Sequence, residues 1–295
     1  MRWFAVGALL MLVVSGTHGQ GAGAFDSSKA WEHLRQQVAL GPRPSGSPGN
    51  FKNREYITKT LAAIGIKTVE QAWDATTPIG PIKMVNLIAT IPGQRSERIV
   101  LASHFDTKLF REFRFVGASD GASSTAALLE LARVIKARRQ LPFTIELLFL
   151  DGEEATGEWQ GTDNTYGSRH YVAVASKAGT LKSLRALILL DMIGDRQLNI
   201  RRETNSTAWL TEIVWNVARR LGHEASFTTE SMAVEDDHLH FLKAGVPSID
   251  IIDLDYPAWH TAQDTLDAVS ARSLQVVGDV VVAALPDIEA RLLKN

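Results

Sequence analysis

Apolar positions along the 295-residue chain fall into two alternating patterns. Continuous apolar runs at 84–91 (MVNLIATI), 98–103 (RIVLAS), 143–150 (FTIELLFL), 186–190 (ALILL) and 247–252 (PSIDII) predict strands buried on both faces. Between most of them apolar residues recur at helical spacing, over 122–138, 166–177, 207–221 and 235–244. Three further helices are predicted. One spans 28–40, with Trp31, Leu34, Val38 and Leu40 roughly on one face and Ser27 or Ser28 as cap; the others span 50–64, closed near Gly65, and 270–293. The turn-rich stretch 41–49 (GPRPSGSPG) separates the first two. Buried strands alternating with amphipathic helices predict an α/β fold with a single domain over 25–295. Its central sheet should be mixed but mostly parallel, flanked by helices on both faces. The pattern contains no internal repeat, linker or low-complexity block.

The first residues follow a different rule. Arg2 precedes an unbroken apolar run from Trp3 to Val14, and small and polar residues follow from Ser15 to Ala24. A basic head, a short apolar stretch and a small-residue exit read as a secretory signal peptide over 1–24, with cleavage after Gly19 or after Ala24. At ~1.5 Å per residue the run is too short to cross ~30 Å of hydrocarbon. A periplasmic or secreted protein is therefore expected, with no membrane contact in its mature form. Lys and Arg total 31 against 33 Asp and Glu, a formal charge of -2, which does not favour nucleic acid as a partner. The chain has no cysteine, so disulfides, thiolate metal ligands and cysteine nucleophiles are excluded. Any bound metal must be held by His, Asp or Glu.

In an open α/β sheet, sites form beyond the carboxyl ends of the strands. Here the run 98–103 leads into His104-Phe105-Asp106, the run 143–150 into Asp151-Gly152-Glu153-Glu154, and the run 186–190 into Asp191. The run 247–252 leads through Asp253 and Asp255 to Trp259-His260, and Asp120 lies in GASDGASS just ahead of the 122–138 helix. Each residue has a plainer explanation. Asp120 suits a helix cap, adjacent glutamates suit a solvated turn, and lone histidines are commonly satisfied in a core. Five segments delivering carboxylates and imidazoles to one sheet edge are hard to explain as five separate accidents. A metal accounts for the set, because Zn²⁺ takes three such ligands and keeps an open position in catalytic sites.

The motifs SHFDTK (103–108), GASDGASSTAALLELAR (117–133), FLDGEEA (149–155), LLDMIGD (189–195) and WHTAQDTLD (259–267) resemble the zinc aminopeptidase superfamily. Three more, GPRPSGSPG (41–49), EWQGTDNTYGSRHYVA (158–173) and EDDHLHFLKAGVP (235–247), resemble its zinc-dependent glutaminyl cyclases, the glutaminyl-peptide cyclotransferases. The resemblance covers about 28 to 290, and the absence of the paired cysteines of animal members fits a bacterial version. It implies one Zn²⁺ per chain on Asp120, Glu154 and His260, an acid/base Glu153, and Asp191 and Asp236 in a hydrogen-bond network with it. Trp159 and Trp259 match the indoles of the substrate pocket. Tyr256 matches an aromatic pocket wall on a loop one residue shorter, and Glu235 stands where a glutamine is expected in the substrate-binding region.

The implied reaction cyclises the N-terminal glutamine of peptides or proteins to pyroglutamate with release of ammonia. Nucleophile and electrophile belong to one residue, so no enzyme nucleophile is required. The alternative is a zinc aminopeptidase, a two-metal hydrolase in which His104 and Asp191 bind a second Zn²⁺ bridged by Asp120; His104 otherwise supports the site without binding metal. The ligand residues alone do not separate the two, whereas Trp159 in its block and the EDDHLHFL segment favour the cyclase. A silent, receptor-like member would have lost a ligand or the acid/base residue, and all are present. A monomer is expected.

Overall fold

The computed structural model describes residues 23–294, so the export segment expected over 1–24 lies outside the described residues except for Gly23 and Ala24. Six strands form the main sheet in the order β1-β2-β4-β3-β5-β8. In chain order β1 is Thr68–Thr77, β2 Gly80–Ile91, β3 Arg95–His104, β4 Phe143–Leu150, β5 Leu184–Asp191 and β8 Ser248–Ile252. A second, two-stranded parallel sheet pairs β6 (Ile200–Glu203) with β7 (Phe227–Met232). β3 runs parallel to β4 and β5, and β5 parallel to β8, while β1 and β2 are antiparallel to their neighbours. The mixed, mostly parallel sheet expected from the apolar runs is thus present, and its four parallel strands end at one common edge.

Helices cover both faces. Along β3 and β4, Ile99, Leu101, Leu147 and Phe149 point to one side with α1 (Ser27–Ala39), α2 (Pro48–Ala63), α3 (Ala122–Lys136), α5 (Ala208–Arg220) and α7 (Ala271–Leu293). Val100, Ala102, Leu148 and Leu150 point to the other, against α4 (Tyr166–Lys177) and α6 (His238–Lys243). This alternation is why the central runs are apolar at every position.

Three strands escaped the apolar-run criterion. β1 (TVEQAWDATT) is an edge strand with two buried positions and, among the described residues, pairs with β2 alone, so its side chains need not be apolar. β6 and β7 are short, and their positions are largely polar, half-buried in β6 and partly exposed in β7. Helix ends shift for identifiable reasons. Asp26, not Ser27 or Ser28, caps α1 by accepting the Ser28 N–H, and Ser47 caps α2 with Pro48 in its first turn. The helix expected over 235–244 is confined to 238–243, which leaves Glu235 and Asp236 on a loop.

The start of the described chain is built into the fold. The Phe25 ring, 1% exposed, lies across α7 where Gly278 has no side chain; a Cβ there would meet three ring carbons at 2.5 Å. Gly278→Ala is therefore expected to cost about 1–3 kcal/mol through overpacking. The melting temperature should drop by about 2–4 °C for each kcal/mol lost. Combining it with Phe25→Leu should destabilise by less than the sum of the two single changes, read by calorimetry.

Candidate active site

The carboxyl edge of the parallel strands gathers the predicted residues. β3 ends on His104, β5 ends on Asp191, and the loop after β4 presents Glu153 and Glu154. Asp106, just past β3, accepts the backbone N–H groups of Glu153 at 3.2 Å and Glu154 at 3.3 Å, which fixes the turn that carries both glutamates. Asp120 does not cap α3. The cap is Gly121 (φ 85), with no side-chain hydrogen bond, and the Asp120 carboxylate turns towards the histidines instead. Gly121 is required here, since a Cβ would come within 2.5 Å of the Asp106 carbonyl oxygen. Met192 and His260 adopt left-handed backbone (φ 48 and 53), uncommon for residues with a side chain, the first beside Asp191 and the second facing Asp120 and Glu154.

Two groups share Asp120. In the first, His260 Nε2 lies 3.3 Å from Asp120 Oδ2 and 3.2 Å from Glu154 Oε1. In the second, His104 Nε2 lies 3.0 Å from Asp191 Oδ1 and 3.3 Å from Asp120 Oδ1. In each group one ligand atom from every residue lies within 4.8 Å of the others, a spacing a metal ion can bridge. Asp120 Oδ2 and Glu154 Oε2 are buried without a hydrogen bond, an arrangement that is costly unless a cation completes it. The donor set of the first group therefore fits a divalent metal.

The electrostatics agree. Burial pushes the Glu154 carboxyl up to about 7, with the Asp120 charge adding to it. Burial would lower His260, but its contacts with Asp120 and Glu154 outweigh it and raise the ring to about 9. Burial acts to raise Asp120 as well, yet its contacts with His104 and His260 hold it below the usual carboxylate range. For Glu153, burial leads and the Glu154, Asp236 and Asp191 charges reinforce it against His104, so its carboxyl stands well above its ordinary value. Asp236 is raised to about 6, by burial and then by Asp191. Without a cation, protons hold these charges together.

A cavity of about 500 Å³ opens over the first group. Asp120, Glu153, Glu154, Asp191, Glu235, Asp236, Trp159, Trp259 and His260 all line it, so the structure brings together nearly every residue singled out in the sequence. Asp236 is buried and Glu235 is exposed at the rim. The Trp259 indole stacks on the His260 ring at 4.4 Å while remaining 43% exposed. His104, 1% exposed, lies beneath and does not line the cavity.

Tyr256 does not line it either, contrary to expectation. The side chain is buried, and its hydroxyl donates to Asp264 Oδ1 at 2.7 Å because that carboxylate offers it a buried acceptor. Asp264 was missed in the sequence. Its two oxygens accept the backbone N–H groups of Ser119 at 2.7 Å and Asp120 at 3.1 Å, holding the loop that presents Asp120. Arg43 was missed too. Fully buried, it donates to the carbonyl oxygens of Val116 at 2.7 Å and Gly117 at 3.1 Å in the same loop. Phe110 and Phe115 meet the His260 ring edge-on at 5.6 and 5.9 Å, an aromatic collar that no spacing rule announced. The available signals were the position of Asp264 four residues after His260 and the arginine inside the turn-rich GPRPSGSPG.

Asp264→Ala should release the Asp120 loop and weaken metal binding about 10–100-fold, read by competition with a chromogenic chelator. Tyr256→Phe should leave metal affinity nearly unchanged and cost about 1 kcal/mol of stability. Because the His260 proton must leave when a metal binds, affinity should rise as the pH is raised towards about 9.

Residues 86–285 match Peptidase family M28. The glutaminyl-peptide cyclotransferase-like protein of Bos taurus is 32% identical over 272 residues, covering 82% of this chain and 71% of that protein. Among solved structures, the glutaminyl cyclase of an Acidobacteriales bacterium is 41% identical and superposes with a TM-score of 0.88, over 94% of this chain and 99% of that one. A leucine aminopeptidase precursor from Bacteroides thetaiotaomicron shares the fold at 28% identity, TM-score 0.81, over 90% of this chain and 98% of that one. The chain belongs to peptidase family M28 and, within it, to the glutaminyl-peptide cyclotransferases.

Proposed function

We propose that this protein converts the N-terminal glutamine of peptides and proteins into pyroglutamate with release of ammonia. The observation that carries this reading is the cavity itself. It joins Glu153, Asp191 and Asp236 to two indoles directly above the Asp120–Glu154–His260 group. One zinc ion per chain, held by those three residues, supplies Lewis-acid polarisation of the glutamine side-chain amide carbonyl when bound.

The chain's own groups do the rest. Glu153 takes a proton from the α-amine and returns it to the departing amide nitrogen. Its carboxyl is raised by burial and neighbouring acids, which suits a group that must both accept and give up a proton. Asp236 and Asp191 hold the amide nitrogen and the Glu153 proton in place. Trp159 and Trp259 exclude water and fold glutamine so that its amine faces its own carbonyl, a gain worth roughly 7–11 kcal/mol. Glu235 contacts the substrate at the rim. Export through the apolar N-terminal segment sets the protein to work as a monomer in the periplasm or outside the cell. Among the described residues, no helix is long and apolar enough to cross a membrane.

A second reading, a two-metal aminopeptidase, draws on the His104–Asp120–Asp191 group. Burial of His104 beneath the cavity and its direct contact with Asp191 favour a supporting role over metal binding. Metal analysis separates the two: about one zinc per chain is expected, and a value near two would favour the hydrolase.

The adjacent glutamates should part company on mutation. Glu153→Gln is expected to keep its metal while turnover falls at least ~10²-fold, whereas Glu154→Gln loses metal affinity as well. Equal metal content in the two variants would refute this division of roles. Gln peptides should release ammonia and Leu peptides should stay intact. Trp259→Ala should slow Gln turnover without releasing zinc. Release of free leucine with no ammonia from Gln peptides would overturn the cyclase reading and leave the metal site standing.

A further inference from the structure

The two sites at which the N-terminal segment can be cut are not equivalent in the folded protein. Both sides of the Ala24–Phe25 peptide bond are held by the helices beneath. Ala24 O accepts a hydrogen bond from Arg133 Nη2 at 2.8 Å, and Phe25 O accepts one from Gln275 Nε2 at 3.0 Å. The next backbone N–H, of Asp26, donates to Glu130 Oε1 at 2.9 Å, and the Phe25 ring lies against Gly278. Cleavage after Ala24 would remove the carbonyl that Arg133 engages and put a new ammonium group beside that guanidinium. Cleavage after Gly19 leaves every one of these contacts in place. It also falls five residues beyond Val14, where the apolar run ends, with small residues Thr17 and Gly19 before the cut. A chain cut there begins with Gln20.

We infer that this protein is a substrate of its own reaction: processed after Gly19, it exposes Gln20 as its first residue and converts it to pyroglutamate. The inference rests on the cyclase reading above. The residues that follow, Gly21, Ala22, Gly23 and Ala24, carry no side chain beyond a methyl group and no charge, so nothing bulky accompanies the glutamine into the cavity. In the step, the Gln20 α-nitrogen bonds to its own side-chain carbonyl carbon and the bond from that carbon to the amide nitrogen breaks. The amine proton passes to the leaving nitrogen, which departs as ammonia. The product is a lactam at the end of the chain, with no free amine.

The test is mass spectrometry of the full chain secreted by a bacterial host from its own N-terminal segment, as wild type and as Glu153→Gln. Trypsin should yield the N-terminal peptide 20–29, QGAGAFDSSK, from both. The wild-type peptide should be about 17 Da lighter than its sequence mass and resistant to Edman degradation, the Glu153→Gln peptide unshifted and open to it. A first residue other than Gln20, equal cyclisation in the two proteins, or an intact Gln20 on wild-type enzyme that turns over an added Gln peptide would each overturn the inference. The added peptide reads the parent activity separately: its failure to react removes the cyclase reading, and this inference with it.

Discussion

Carboxyl groups crowded at one sheet edge are the constraint around which this protein is organised. Asp106, Asp120, Asp151, Glu153, Glu154, Asp191 and Asp236 are all buried there, and so many negative charges in a poorly solvated space repel strongly. Four of them are relieved by identifiable contacts. Asp106 accepts two backbone N–H groups, while Asp151 accepts Ser45, Asn50 and the Val85 N–H. Asp120 and Asp191 lie against imidazoles, and Arg43 adds a buried positive charge next to the Asp120 loop. The acids left over, Glu153, Glu154 and Asp236, are all raised above their ordinary values, first by burial, and they face the cavity. Relief is withheld where chemistry is needed.

This division explains what could be read from the linear chain. Several of the candidate residues sit at or just past the ends of buried strands, so a continuous apolar run followed by an acid or a histidine marked them: His104 after one run, Asp191 after another. The supporting groups have no such signature. Asp264 acts through backbone N–H groups of a loop far away in sequence, and Arg43 acts through carbonyl oxygens, contacts open to any chain segment. Tyr256 failed as a pocket wall because a residue type does not reveal whether its hydroxyl will find a buried acceptor. β1 was invisible for a related reason: an exposed edge strand takes its conformation from the ladder with β2 and asks little of its side chains.

Neighbouring residues near the mouth of the cavity carry different duties. Trp259 lines the cavity and His260 joins Asp120 and Glu154 in a group that could hold a metal, although the two are adjacent and stacked. The left-handed backbone at His260 lets successive side chains converge on one space instead of diverging as they would along a strand. Stacking of the two rings at 4.4 Å keeps the Trp259 indole and the His260 imidazole side by side at the cavity wall.

The buried Arg43 has a wider consequence. The match to Peptidase family M28 begins at residue 86, yet Arg43, Ser45 and Asn50 lie upstream and clamp the loops bearing Asp120 and Asp151. The segment that defines the family is therefore not the segment that can stand alone. A fragment beginning at residue 86 would lack Arg43, Ser45 and Asn50, and with them the contacts that shape the loops of its own active centre.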